Sequence, residues 1–505
     1  MKTMKIHLFG HDYKYAAEQM LLTLFPDERP EYPAGEPAGD RMEVRLSRSG
    51  GAVEASCLLT RGENRWEGRD SAPLSPDAGA LERDRIGQRL VKNAIYRAAL
   101  RSGVPRPVWG ALTGVRPGKV LARILEEEPD RAAALERFER EYDVSGERAA
   151  LCMDTAVYTA QAKAALGERD VCLYVGIPFC PTRCSYCSFV SQSVEKSREL
   201  IVPFTEALKK EIRATAQAAA EAGLRPVSVY FGGGTPTTLT AAQLEEVFSE
   251  LERSFDLSSV RETTVEAGRP ETISPEKLAV MREHAVTRIS VNPQTMSDRV
   301  LDVIGRRHTA ADILSAVELV RAAGAFQINM DLIAGLPSDT PEGFEETLRA
   351  VCALEPENVT VHTLSLKKGS RITLEGTKIP SGEEVGRMLD FSAETLRKNG
   401  FEPYYLYRQK FMSGGFENTG WTKKGFANLY NICIMEEICS ILAMGGGGST
   451  KLVRPGDGRN IRIMDPKYPA EYIGAIDRIC ADRKKITEFF SKENDYGISA
   501  ERPEL

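Results

Sequence analysis

The sequence predicts an α/β fold, with a partial (β/α)6 barrel in the middle of the chain and a mixed α/β region on each side. Two observations predict the barrel: β-rich and helical segments alternate strictly between about residues 166 and 400, and the alternation runs through six units. Strict alternation is typical of parallel βαβ units. Six units suit a barrel that is open on one side. A flat doubly wound sheet has the same local pattern, and periodicity alone does not choose between them.

The elements of the six units follow from composition and periodicity. Strands are predicted at 171–177, 227–231, 262–266, 286–291, 327–333 and 358–363. Helices between them are predicted at 203–222, 241–254, 275–283, 310–323 and 342–354. We place this barrel region at residues 166–400.

The regions on either side of the barrel have their own patterns. Residues 1–165 are predicted to form a small α/β domain of unknown role, with a strand at 4–9, a helix at 15–24 and a hairpin made by 42–47 and 52–59 around two glycines. Residues 401–505 are predicted to form a mixed α/β extension that covers the barrel or binds substrate. It has a segment rich in glycine and aromatic residues at 404–448 and a charged helix near 477–491.

Composition limits the classes of partner. Of 505 residues, 42% are hydrophobic and 27% are charged, as in ordinary globular proteins. The net charge of −6 gives no electrostatic argument for binding nucleic acid or a membrane surface. The chain has neither an apolar run of the roughly 20 residues that span a membrane nor the pattern of a signal peptide. We therefore expect a cytoplasmic protein.

Three of the ten cysteines crowd into eight positions, and the other seven are scattered. In a chain without a secretory signal, this favours a metal or cluster site over a disulfide framework. The three are Cys180, Cys184 and Cys187, in the string YVGIPFCPTRCSYC that begins at Tyr174. Thiolates suit iron–sulfur clusters. Because the C-x3-C-x2-C spacing follows a predicted strand, three sulfurs can reach three irons of a cubane and leave the fourth iron open for a substrate or cofactor.

Two other interpretations of this motif are less satisfactory. A structural zinc site needs four tetrahedral ligands, but position 188 is serine and no histidine follows before His284. Chance clustering of buried cysteines does not explain their place in the alternating β/α pattern. We therefore adopt the open cluster.

With an aromatic residue just before its last cysteine, the motif resembles the signature of radical S-adenosylmethionine (radical SAM) enzymes. The wider string is similar to the oxygen-independent coproporphyrinogen III oxidase family, and the resemblance covers roughly residues 171–370. The strings LTGVRPGKV and YNICIMEE resemble its HemZ branch. The resemblance implies the radical SAM barrel, a [4Fe–4S] cluster held by the three cysteines, and one or two molecules of adenosylmethionine.

Further candidate contacts to adenosylmethionine lie near the ends of later strands. The loop FGGGTP allows a close approach to the backbone, and Glu266 ends the third strand, where a barrel carboxylate faces the site. The resemblance implies contacts from Tyr174, Tyr186, Gly233, Gly234, Thr235, Glu266, Gln294, Arg306, Asp331 and Ser365, the last through its backbone. Tyr174 is also our candidate catalytic residue. If these residues do not bind a ligand, the glycines form a tight turn and Glu266 caps the next helix. Arg306 and Asp331 then form an ordinary ion pair.

The resemblance also implies a reaction. A 5′-deoxyadenosyl radical removes hydrogen from the β-carbon of a porphyrinogen propionate, which loses carbon dioxide and an electron to leave a vinyl group. Two such events convert coproporphyrinogen III to protoporphyrinogen IX. The implied partners are a porphyrinogen or haem and a low-potential electron donor such as flavodoxin or ferredoxin. Because the substrate carries four carboxylates, basic residues are expected in its pocket. The candidates are Lys367, Lys368, Arg371, Arg408 and Lys410. The alternative for each of them is a solvated charge on the protein surface.

One departure from the family leaves the activity open. The biosynthetic oxidases have a further cysteine two positions after the last ligand, where this chain has Phe189. A related branch without that cysteine binds or delivers haem. A haem carrier is therefore the alternative, with His308 and His362 as axial ligands unless they are structural histidines. A third alternative is another radical reaction, such as haem opening or methyl transfer. The aromatic C-terminal segment is expected to form either a lid over a flat macrocycle or a packing domain over the open side of the barrel.

Overall fold

The computed structural model describes residues 2–187, 192–324, 326–366, 370–409, 413–454 and 460–491. They form two compact units. The first comprises residues 2–154 and 407–409, and the second comprises the rest of the described chain. None of the described helices combines the length and hydropathy that a membrane-spanning segment needs.

The first unit is built on a five-stranded sheet of order β2-β1-β3-β4-β5. Strands β1 to β3 pair in parallel, and β3 to β5 pair as antiparallel neighbours. Its elements are β1 (Lys2–Phe9), α1 (Lys14–Leu24), β2 (Glu28–Glu31), β3 (Arg41–Ser49), β4 (Ala52–Arg61), β5 (Asn64–Pro73), α2 (Ala80–Arg101), α3 (Pro117–Glu127) and α4 (Arg131–Tyr142). The predicted hairpin is confirmed as β3 and β4, whose alternate apolar residues join the core formed with α1 and α2.

Six parallel strands form the wall of the second unit. After α5 (Gly146–Ala165), the chain forms β6 (Asp170–Ile177), β7 (Phe179–Cys180), β8 (Gln192–Ser193), α6 (Val194–Ser197), α7 (Ile201–Glu221), β9 (Arg225–Gly233), α8 (Ala241–Ser254), β10 (Glu262–Glu266), α9 (Pro275–Glu283), β11 (Arg288–Ser290), α10 (Asp298–Val303), α11 (Ala310–Ala322), β12 (Gln327–Ala334), α12 (Pro341–Ala353) and β13 (Asn358–Thr363). The wall has the order β6-β9-β10-β11-β12-β13. A doubly wound sheet reverses its order at a switch point, and this wall does not. The prediction of a partial barrel is confirmed.

Most element boundaries differ from the predicted ones by one or two residues, and two of the differences have local reasons. Strand β11 is shorter than predicted, because the chain enters it from Ala285 at φ +50° and leaves it toward Pro293, which has no amide proton to donate. Helix α7 begins at Ile201, two residues before Pro203. Proline is tolerated there because the first turn of a helix leaves its amide groups unpaired.

The C-terminal region extends both edges of the barrel wall. Its elements are α13 (Arg371–Glu375), α14 (Gly382–Lys398), β14 (Phe401–Tyr407), β15 (Asn418–Lys423), α15 (Leu429–Glu436), β16 (Ser440–Gly445), β17 (Ser449–Val453), β18 (Asn460–Met464), α16 (Pro469–Gly474), α17 (Ile476–Asp482) and α18 (Lys484–Phe490). Strand β15 pairs antiparallel with β13 at one edge, and β16 pairs in parallel with β6 at the other. The division of the chain at residues 165 and 400 stays a prediction.

The predicted C-terminal charged helix is two short helices, α17 and α18. The break between them lies at Arg483, whose buried guanidinium pairs with the carboxylates of Glu211 and Asp465. A buried arginine must keep such partners, so this ion pair holds the junction of the two helices in place.

Candidate functional site

The three motif cysteines lie in the segment that follows the first barrel strand. Cys184 is buried, and Cys180 and Cys187 are half-buried. The amide of Cys187 donates to the carbonyl of Cys184 over 3.2 Å, and the amide of Ser185 donates to the carbonyl of Ile304 over 2.9 Å. Hydrogen bonds thus connect residues within the segment and also connect the segment to the end of α10.

Two buried arginines flank this segment. Nη1 of Arg269 lies 3.6 Å from Sγ of Cys184, and its Nη2 donates to Oγ1 of Thr182 over 2.8 Å. Nη2 of Arg306 donates to the hydroxyl of Tyr186 over 3.2 Å. Burial opposes the charged form of Arg306, but Tyr186 and Cys184 raise the pKa of its guanidinium. The guanidinium of Arg306 therefore stays charged beside a segment that can present three thiolates.

Arg269 is the site residue that the sequence analysis missed. It is 3% exposed and stands three residues after Glu266, in the string TVEAGRPE. The usable signal was a basic residue directly after a barrel strand, at the edge where the other candidates lie.

The glycine-rich loop packs directly against the cysteine segment. Gly233 has φ +105°, in the region that favours glycine. A Cβ atom on Gly234 would lie 2.5 Å from the carbonyl oxygen of Phe179. Oγ1 of Thr235 lies 3.4 Å from Sγ of Cys180. Any larger side chain at Gly234 would therefore push the loop away from the cysteines.

Glu266 lies at the end of a stack of tyrosines inside the barrel. The rings of Tyr174 and Tyr230 are 6.3 Å apart, and those of Tyr230 and Tyr430 are 4.4 Å apart. The hydroxyl of Tyr230 donates to Oε1 of Glu266 over 2.6 Å. Burial raises the pKa of Glu266 to about 7, although the Tyr230 bond lowers it, and nearby Asp331 adds to the rise. This carboxyl group therefore exchanges its proton near neutral pH, as functional carboxyls often do.

Asp331, unlike Glu266, is held in its ionised form. Nδ2 of Asn329 donates to Oδ1 of Asp331 over 2.9 Å, and Nε2 of His362 lies 3.8 Å from its Oδ2. Burial opposes ionisation, but His362 and Asn329 lower the pKa of Asp331. The site thus combines an ionised carboxylate with Glu266, which titrates near neutral pH.

Gln294 combines backbone strain with an unused hydrogen-bond acceptor. It has φ +66°, which is costly for a residue with a side chain. Its amide donates to the carbonyl of Asp331 over 2.8 Å, and its carbonyl accepts from the amide of Ile333 over 3.1 Å. Its Oε1 is buried and has no partner among the described residues. Strain together with an unpaired polar atom is typical of residues kept for a ligand.

Replacement of Gln294 with glycine is expected to separate stability from ligand binding. Since glycine adopts positive φ freely, the free energy of unfolding should stay the same or rise by at most about 1 kcal/mol. The affinity for adenosylmethionine should fall by roughly tenfold, the worth of one hydrogen bond. Thermal unfolding and anaerobic equilibrium dialysis measure the two effects.

A matched control for this prediction is Glu355→Gly. Glu355 has φ +50° and is exposed, so the change relieves similar strain away from the site. This variant should bind adenosylmethionine as the wild type does. An unchanged affinity in Gln294→Gly would contradict a ligand-binding role for Gln294.

The two histidines considered as haem ligands have different environments. The His308 side chain is 1% exposed, and its Nδ1 lies 3.0 Å from Oε2 of Glu271. This contact favours the structural interpretation of His308. The His362 side chain is 28% exposed and lies beside Asp331. Ser365 follows β13 and is half-buried, and its predicted backbone contact stays a prediction.

Two of the basic residues proposed for a substrate pocket, Arg371 and Arg408, are among the described residues. Arg371 makes an exposed ion pair with Glu375 one helical turn away, at 3.0 Å. Arg408 belongs to the first unit, where its guanidinium donates to the carbonyl of Leu112 and lies 5.4 Å from the Trp109 ring. The remaining three, and the Phe189 position, lie outside the described residues: Lys367, Lys368, Lys410 and Phe189.

The aromatic C-terminal segment packs inside the barrel. The hydroxyl of Tyr405 lies 3.2 Å from Oγ1 of Thr360, and Nδ2 of Asn428 donates to Oγ1 of Thr264 over 3.0 Å. Tyr430, in α15, is 3% exposed. These contacts favour the packing interpretation over a lid.

The residues around the motif fit an open iron–sulfur cluster with adenosylmethionine. Three soft sulfur donors lie beside two buried cations. The glycine-rich loop leaves space that a Cβ atom would fill, and Gln294 offers a buried acceptor.

Comparison with known proteins gives one family. The Radical SAM superfamily profile matches residues 174–351. The chain is 34% identical to the oxygen-independent coproporphyrinogen-III oxidase-like protein HemZ of Bacillus subtilis, over 96% of this chain and 97% of that protein. It is 26% identical to the heme chaperone HemW of Haemophilus influenzae, over 60% of this chain and 75% of the other.

A solved structure shows the same fold. The coproporphyrinogen III oxidase HemN of Escherichia coli, described as a radical SAM enzyme, superposes with a TM-score of 0.51 at 24% identity. The superposition covers 64% of this chain and 72% of that chain. At this level of identity the similarity is one of fold.

Proposed function

Because this chain belongs to the radical SAM superfamily and, within it, to the family of HemZ, HemW and HemN, we propose that it converts coproporphyrinogen III to protoporphyrinogen IX without oxygen. The observation that carries the proposal is the similarity to the oxidase-like HemZ, which extends over nearly the whole chain and not over the barrel alone. The geometry around the cysteine segment supports it, since the residues there suit a radical SAM site.

We propose that Cys180, Cys184 and Cys187 hold a [4Fe–4S] cluster and that adenosylmethionine binds beside it. The contacts proposed for adenosylmethionine are Tyr174, Tyr186, Gly233, Gly234, Thr235, Glu266, Gln294, Arg306, Asp331 and the backbone of Ser365. When bound, these groups supply a 5′-deoxyadenosyl radical, with the electron coming from a low-potential donor such as flavodoxin or ferredoxin.

The protein's own residues place and shield the reactants. Arg269 and Arg306 offset negative charge at the cysteine segment. Glu266, when ionised, would accept hydrogen bonds from the ribose hydroxyls of adenosylmethionine, and Tyr230 holds that carboxylate in place. The hydroxyl of Tyr174 lies 3.4 Å from where a Cβ atom of Gly233 would stand, so Tyr174 lines the same wall and is the proposed catalytic residue. The stacked rings of Tyr174, Tyr230 and Tyr430 would help to shield bound reactants from water.

The proposed reaction balances on the substrate. The β-carbon of a propionate loses a hydrogen atom to the 5′-deoxyadenosyl radical, the bond between the α-carbon and the carboxylate breaks, and carbon dioxide leaves. One electron passes to an acceptor, and the two remaining carbons form a vinyl group. Two propionates react in this way.

A second candidate function is a haem carrier of the same family. The observation that favours it is Phe189, which stands where the biosynthetic oxidases have a cysteine. The similarity to HemW is consistent with it. In this function His362, the more exposed of the two histidines, is the proposed axial ligand.

One anaerobic assay separates these functions. Reconstituted protein is incubated with adenosylmethionine, a reductant and coproporphyrinogen III, and the products are separated by chromatography. Protoporphyrinogen IX together with 5′-deoxyadenosine is the expected result. Tight haem binding without porphyrinogen turnover would replace the first function with the second. Cleavage of adenosylmethionine only when haem is present would point instead to another radical reaction on a tetrapyrrole.

A further inference from the structure

A second group of three cysteines lies at the other end of the barrel strands. Cys172 is in β6, Cys433 is in α15, and Cys439 directly precedes β16. Their sulfur atoms lie within 4.8 Å of one another. The residues are 0%, 0% and 6% exposed, respectively. Among the histidine, cysteine and acidic side chains in the described part of the chain, these three form a group whose ligand atoms all lie within this distance of one another. The three motif cysteines do not form such a group.

A buried cysteine usually behaves as a small apolar side chain. These three do pack with apolar neighbours such as Val227 and Ile441. However, a strand, a helix and the residue before another strand bring their sulfur atoms within 4.8 Å of one another. Convergence of this kind is what a shared ligand requires.

We propose that Cys172, Cys433 and Cys439 bind one zinc(II) ion through three thiolates. Zinc–sulfur bonds of about 2.3 Å place the sulfurs of one ion about 4 Å apart, which agrees with the observed grouping. The carbonyl oxygen of Asp170, 3.1 Å from Sγ of Cys439, offers a neutral fourth donor. Zinc accepts oxygen donors as well as thiolates.

Other thiophilic groups fit this position less well. The sulfurs around a cubane each bind a different iron, so they stand farther apart than ligands that share one ion. Copper(I) also favours thiolates. With three thiolates it would leave two net negative charges in a buried site, whereas zinc leaves one. Since burial penalises net charge, the divalent ion is favoured.

The bound ion would act as a cross-link inside the second unit. It would join β6, α15 and the start of β16, and so hold Tyr430 against Tyr230 in the tyrosine stack. Binding releases the three thiol protons, so the affinity for zinc rises with pH.

The first test measures metal content in full-length protein that lacks the cluster motif. A background with Cys180→Ala, Cys184→Ala and Cys187→Ala removes the other thiolate site. After expression in zinc-supplemented medium and dialysis against a chelator, about one zinc per chain is expected by mass spectrometry. Cys433→Ser and Cys439→Ser in this background should each lose it. Cys57→Ser, which changes a buried cysteine of the first unit, should keep it.

The second test does not depend on whether those variants fold. The same background is refolded with cobalt(II) and its absorption spectrum is recorded. Intense thiolate-to-cobalt charge transfer at one equivalent supports the site, and zinc should displace it and raise the melting temperature. Four results would each overturn the proposal. In the first test they are a zinc content no higher than background, copper retained in place of zinc, or equal zinc in soluble Cys433→Ser protein. In the second test it is the absence of a charge-transfer band.

Discussion

Replacement of Cys184 with alanine is expected to abolish both the intact cubane and the cleavage of adenosylmethionine. The motif supplies three thiolates, so loss of one leaves a second iron without a protein ligand. Cys184 is also the buried member of the motif and the sulfur beside Arg269, at 3.6 Å. Iron and sulfide per chain, the electron paramagnetic resonance spectrum of the reduced protein, and 5′-deoxyadenosine formed anaerobically measure the effect.

The control for Cys184→Ala is Cys352→Ala. Cys352 is half-buried on α12 and lies outside both cysteine groups. This variant should keep wild-type iron content and activity. The proposed site would be wrong if anaerobically purified Cys184→Ala protein kept a complete cubane and still cleaved adenosylmethionine.

The affinity for adenosylmethionine is expected to fall by about tenfold for each pH unit below 7. Burial raises the pKa of Glu266 to about 7, and the ionised form is the proposed hydrogen-bond acceptor. The competent fraction is therefore nearly constant above that pH and declines as the pH falls through 7. The titratable groups that act on Glu266 are Tyr230, Asp331 and His362. The pKa of Tyr230 is raised by burial and that of Asp331 is lowered, so neither titrates in this window.

Equilibrium dialysis between pH 5.5 and 8.5 tests this pH dependence without turnover. Glu266→Gln should give weaker binding without the tenfold decline per pH unit below 7, because its side chain does not ionise. Glu276→Gln, which changes an exposed carboxylate on α9, should keep the wild-type slope. A slope of the opposite sign would mean that protonated Glu266 is the binding form.

The barrel and its cysteine motif were predictable because both are local in the sequence. Each strand and helix of the wall is one continuous segment with its own periodicity. Cys180, Cys184 and Cys187 lie within eight positions, so their meeting needs no knowledge of the fold. Local sequence does not decide between a barrel and a flat sheet, since that depends on which strands pair.

Contacts between distant segments were not predictable in this way. Cys172 meets Cys433 and Cys439 only because β16 pairs with β6 and α15 enters the barrel. The same is true of Arg288, a predicted strand residue whose buried guanidinium bonds Asn358 over 2.9 Å and Glu262 over 3.1 Å. Single cysteines and arginines in a sequence carry no mark of such partners.

The pairing of β15 with β13 and of β16 with β6 has a consequence for biosynthesis. The six barrel strands leave the ribosome before either partner strand has been made. During that interval both borders of the wall expose unpaired amide and carbonyl groups, which can pair with strands of other nascent chains. A ribosome that stalls shortly after residue 400 would therefore produce a chain prone to aggregation, even though every element of the barrel itself has been synthesised.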